Sequence, residues 1–338
     1  MKLKSTLSLF MLLALALTPA AQVAVDRVVI ANGGTYSNPD DFVTLDAYDP
    51  QTGITHELAT IFTHSVQGLL VHEGHAFIAA QDSLAKVNIS NGEVEDAIAL
   101  TGVNKFAVWQ DKLLLRRQYP VTSDFVQIFE ISDLSFVKSF PQISDESWEI
   151  TVAGDTAYVS VAGGWAATTG KLAVIDLPNL SFVRETDLGE NAVGIGPSYK
   201  YGDPLVFICQ TPYLGTSGTI MTYDINTTEK VMHTIQHAIG EGAGMHDGLL
   251  YLKVGDNVGV FNLTSGSLEN AGLIENPFDN LEITGMALDT VNQQIYVNYS
   301  FWTPPDGTGK IYDLTGNETG EYEVGVSAEE VAVSYVNA

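Results

Sequence analysis

Seven polar or small residues recur at one point of a repeating apolar pattern: Gln67, Asn104, Glu149, Gly194, Glu241, Thr284 and Glu329. Each opens a short segment rich in Val, Ile, Ala and Gly. Three carboxylates and two amides gathered round one axis could hold a divalent cation, since hard cations take oxygen ligands. Glu149, Glu241 and Glu329 are the ligands such an ion would use, and the ion would be the protein's cofactor. Without an ion, the same groups would line a hydrated channel. Glu146, Glu282 and Glu330 lie beside them in sequence and add to the negative field. Like charges this close raise one another's pKa values unless a cation is present. No D-x-[DN]-x-[DN]-G calcium loop occurs.

A second set of residues is aromatic and sits in irregular segments. Tyr36, Tyr119, Trp165, Tyr213, Phe301 and Trp302 fall within the stretches 33–41, 118–124, 162–170, 210–218 and 298–309. The two corresponding segments near Gln81 and Asp256 are short and carry no aromatic. Large rings on loops are not needed by a sheet core. Gathered on one face they would form a platform for a ring-bearing molecule or a protein; alternatively, each ring tucks onto its own sheet. Arg116 and Arg117 stand beside the Tyr119 segment in a chain with only 15 basic residues. They could orient an anionic edge of a ligand or pair with surrounding acids.

Catalytic motifs are absent. There is no G-x-S-x-G, H-E-x-x-H or phosphate-binding loop. The histidines are scattered, with His64 and His237 expected near the channel mouth and His72 and His75 on the opposite face. An enzyme assembled in space from these histidines and the glutamates is the alternative to a binding role. The single cysteine, Cys209, lies in an apolar run and reads as a small buried hydrophobe.

The elements that must position these groups repeat. An apolar or aromatic residue followed by Asp, Glu or Asn ends a strand at Asp49, Asn88, Glu130, Asp176, Asp224, Asn262 and Asp313. The steps average about 44 residues, in the range of a four-stranded propeller blade. Each acid or amide is expected to accept hydrogen bonds from the turn that follows. Seven inner strands are expected, over 66–71, 103–108, 148–152, 193–197, 240–245, 283–288 and 328–333. The pattern predicts an all-β, seven-bladed β-propeller with four-stranded blades. Its ring is closed by the C-terminal strand, which completes the first blade and removes an open sheet edge.

Residues 1–21 read as a signal peptide, with Lys2 and Lys4, an apolar run over 7–17 and small residues before the expected cleavage. Residues 22–338 then form one propeller domain with no transmembrane segment, expected to be monomeric. The chain carries 41 acidic against 15 basic residues, a net charge of −26. Such a surface repels nucleic acid and keeps an exported domain soluble.

The starts of the first blades, Val28-Val-Ile-Ala-Asn-Gly-Gly, Thr44-Leu-Asp-Ala-Tyr-Asp-Pro-Gln-Thr-Gly and Gly68-Leu-Leu-Val-His-Glu-Gly-His, resemble YncE-like, YVTN-type propellers of Bacteroidetes surface proteins. More distantly, the chain resembles BtuG-type cobalamin-binding propellers. The resemblance implies a seven-bladed ring with a ligand, cobalamin or another large ring-like nutrient, held on one face. It also implies an outer-membrane transporter as partner. Those surface proteins carry a lipobox cysteine. This chain has none, so export to the periplasm or the exterior is expected without a lipid anchor. Three roles stand open: a ligand- or partner-binding propeller, a metal-assisted hydrolase or lyase at the channel mouth, and a protein–protein interaction scaffold.

Overall fold

The computed structural model describes residues 23–164, 167–190, 192, 199–209 and 215–337. The expected signal peptide, Gly194, Trp165 and Tyr213 lie outside them. The described residues form seven four-stranded antiparallel sheets and no helix. Among the described residues no helix is long and apolar enough to cross a membrane.

Closure occurs as the repeat count predicts. Blade 1 is ordered Ala328–Asn337, Val23–Asn32, Val43–Asp49, Ile54–Ile61, so its inner strand comes from the far end of the chain. Val29 pairs with Ala332 and Ile30 with Val331. Val28, Ile30, Ala328 and Val331 then pack with Tyr296, Ile311 and Tyr322 of blade 7 in one apolar cluster.

The acid or amide at the end of each third strand does the local job expected of it in six blades. Carboxylate or amide Oδ1 atoms of Asp49, Asn88, Asp224, Asn262 and Asp313 accept the backbone N–H two residues on, at 2.7–3.0 Å. Asp176 accepts from Asn179 N–H at 3.3 Å. These bonds favour the charged form, and hold the carboxyls of Asp49, Asp224 and Asp313 below the usual range. Blade 3 differs. The longer Glu130 turns to the Lys112 ammonium at 3.0 Å, and Asp133 caps the turn instead.

In blade 5 the described part of the inner strand is the two-residue Tyr199–Lys200, paired with Pro204–Cys209, and the expected 193–197 segment lies outside the described residues. Cys209 is 3% exposed in the core of that blade, and burial pushes its thiol pKa up to about 12.

Candidate functional site

One structural device aims the polar residues into the channel. In six inner strands the ladder slips near the start of the strand, so that extra residues stand out of register. These are Gln67, Asn104 with Lys105, Trp148, Gly240 with Glu241, Thr284 and Glu329. A bulge leaves its extra residue unpaired and bends the strand. Repeated at one level, it sets a ring of side chains at the channel mouth. In blade 4 the bulged residue is Trp148, one place before Glu149.

The mouth opens into a cavity of about 510 Å³, lined by Gln67, Arg116, Trp148, Glu282, Trp302 and Glu329 among others. Below it lies a second cavity of about 540 Å³, which runs past Glu149 to Leu288 and Tyr335. Lys105, Glu241, Thr284, Glu329 and Glu330 line both, so they mark where the two meet.

Lys105 holds that junction. Its ammonium donates to Glu330 and lies 4.0 Å from Glu241. Burial opposes its charge, but Glu241, Glu330 and Glu149 outweigh burial and lift its pKa above the ordinary value. Glu330 is pushed up to about 7, because burial outweighs the help from Lys105. Burial likewise raises Glu149 and Glu329. Glu149, Glu241 and Glu329 therefore do share one channel, with an ammonium among them. Among the described residues no group of three or more His, Cys, Asp or Glu side chains is gathered as a metal-ligand set.

Arg116 is 4% exposed. Its terminal nitrogens donate to Ser147 O and Asn104 Oδ1, each at 2.8 Å, and its guanidinium lies 5.4 Å from the centre of the Trp148 ring. Its direct partners are thus neutral oxygens and a ring, while Glu149, Glu241 and Glu330 act on it through their charge without an ion pair. Burial lowers its pKa to about 10. Arg117 points elsewhere and donates from Nε to Thr101 O at 2.9 Å.

The aromatic loops divide. Tyr36, Tyr119 and Trp302 are 91%, 80% and 54% exposed. Tyr36 and Trp302 come together around a cavity of about 790 Å³, beside the mouth. Their backbones are pinned while their rings stay open. Tyr36 N–H donates to Trp302 O at 3.2 Å, Gly33 N–H to Ser327 O at 2.7 Å, and Ser327 N–H to Phe301 O at 2.9 Å. The Phe301 ring stacks on Trp302 with centroids 4.2 Å apart. His64 lines the same cavity and stacks on Phe42 at 5.3 Å, and exposed Phe62 meets Phe42 edge-on at 5.4 Å. Sequence reasoning passed over Phe42 and Phe62, which flank a strand end rather than a long loop. Tyr119 lines none of these three cavities, and His237 is exposed away from them.

Fold and site together define a seven-bladed β-propeller with an aromatic cavity beside an acidic channel mouth. It is similar to a functionally unknown protein from Desulfotomaculum acetoxidans, at 12% identity and TM-score 0.63, over 91% of this chain and 98% of that one. Apo AztD from Citrobacter koseri is similar at 14% identity and TM-score 0.58, over the same shares. The computationally designed Ika8 protein is similar at 13% identity and TM-score 0.54, over 83% of this chain and 99% of that one. At such identities the likeness is one of fold. No protein-family model and no curated protein matches the chain.

Proposed function

We propose that the protein is an exported binding propeller that holds a ring-bearing small molecule on its upper face. The observation that carries this reading is the cavity between Tyr36 and Trp302, whose loops are fixed through backbone bonds while the rings remain open. Fixing the loops before binding reduces the ordering cost that a ligand must overcome. Export rests on the basic, apolar and small-residue pattern of residues 1–21. The resemblance to BtuG-type propellers makes cobalamin the first ligand to test, with delivery to an outer-membrane transporter as the corresponding role.

The test is calorimetric titration of cobalamin, haem and a glycan panel into wild type, Tyr36→Ala and Trp302→Ala. A few buried anchors dominate most binding sites. Each truncation is expected to weaken the true ligand at least tenfold, about 1.4 kcal/mol, with the melting temperature nearly unchanged. Variants that lose several degrees of stability yet bind normally would make these rings packing residues and end this reading.

A further inference from the structure

Glu329 stands where three cavities meet: the aromatic cavity, the mouth and the channel below all touch it. Its Oε1 accepts a hydrogen bond from Ser327 Oγ at 2.6 Å. Among the described residues no Lys, Arg or His comes within ion-pair distance of it. The nearby cation, Lys105, pairs with Glu330 and Glu241 instead. Arg116 is engaged by Ser147, Asn104 and Trp148. This carboxylate is thus partly withdrawn from water with no direct ion pair, and the charge of Lys105 reaches it only at longer range. Burial disfavours the carboxylate's charged form, and a cation placed against it would offset that effect.

The walls of the aromatic cavity point to the same ligand charge. Among the described residues no Lys or Arg lines it, and Glu329 is the one acid that does so. The same cavity is lined by Trp302 and Tyr36, whose exposed rings present the negative faces that attract cations. An anion would meet an acid and electron-rich rings, with His64 the one basic side chain among the described lining residues. A neutral ring would gain the aromatic contact but leave Glu329 uncompensated. A cation gains from both.

Resting on the binding role proposed above, we infer that the ligand is an organic cation, an amine or quaternary ammonium joined to a ring or apolar group. Its charge lies against Glu329, and its apolar part lies on Trp302 and Tyr36. Phe301, stacked behind Trp302, keeps that indole oriented.

Benzyltrimethylammonium carries a fixed charge and has a neutral counterpart of the same shape, neopentylbenzene; benzoate serves as the anion. Each is titrated into the full protein, followed by tryptophan fluorescence and calorimetry. The cation is expected to bind at least tenfold more tightly than the neutral probe, with benzoate weakest. That comparison uses wild type alone and needs no variant to fold. Glu329→Gln should reduce the cation's affinity at least tenfold and leave the neutral probe's unchanged. Trp302→Ala should weaken both, and Trp302→Phe should restore most of the loss. Equal binding of cation and neutral probe, or an unaffected Glu329→Gln, overturns the cationic ligand while leaving the aromatic site standing. Failure of all three probes also overturns it, and the titrations with cobalamin, haem and glycans then decide the binding role separately.

Discussion

The residue on which the channel depends is Lys105. Its ammonium is opposed by Glu330 of blade 1, Glu241 of blade 6 and Glu149 of blade 4, and its side chain is 20% exposed. Removing one partner from such a cluster leaves buried charges uncompensated, which typically costs about 3 kcal/mol or more. Lys105→Met should therefore destabilise the protein by about that amount near pH 8. The pH dependence has a definite sign. The folded-state pKa of Glu330 is raised from 4.5 to about 7. The native state thus holds a proton more tightly than the unfolded chain. Stability from this group is full below about pH 4.5 and is lost as pH rises through 7. Without the ammonium the carboxylates want protons still more, so the loss in Lys105→Met should be larger at pH 8 than at pH 5. Thermal melts at the two values check this; equal losses would mean that water already screens the cluster. Glu149, Glu241 and Glu329 were legible in the sequence because each opens an inner strand. Lys105 was not, because its partners come from three other blades and are brought together only by closing the ring.

At the scale of elements, strand rhythm translated almost directly into structure, while departures from it did not. The six bulges were visible only as polar residues recurring at inner-strand openings; that they were bulges was not. A slip in register leaves no sequence mark of its own, since alternation simply resumes one residue later. In blade 4 this moved Trp148 into the place expected of Glu149. Closure was legible because the chain supplies its seventh inner strand last. Ala328–Asn337 pairs along Val23–Asn32 and covers Val28 and Ile30, both 0% exposed. Deleting residues 327–338 should therefore expose a sheet edge and part of the core between blades 1 and 7, and cooperative unfolding should disappear. Differential scanning calorimetry is the check, and a truncated protein with an unchanged transition would mean that this strand is dispensable to the ring.

Across the whole molecule, a tandem repeat announces its fold because every blade restates the same pattern, but a binding face is written in the loops that the repeat leaves free. The aromatic residues of those loops are visible in the sequence, but not which rings meet, because blade-to-blade neighbours are far apart in the chain. Tyr36 and Trp302 adjoin only because blade 7 lies beside blade 1 in the closed ring. The same whole-molecule view governs charge. With 41 acidic and 15 basic residues, most acids lack a basic partner, and the compact state concentrates their repulsion. Salt has two opposed effects. It weakens local pairs such as Lys310–Glu318 at 2.7 Å, and exposed pairs contribute roughly 0–1 kcal/mol each. It also screens long-range repulsion, as the Debye length falls from about 30 Å at 0.01 M to about 8 Å at 0.15 M. Since unpaired acids far outnumber pairs, repulsion outweighs the pairing. The melting temperature should rise when sodium chloride is increased from low millimolar to physiological strength at pH 8. A fall over that interval would show instead that the local pairs contribute more to stability than the net charge takes away.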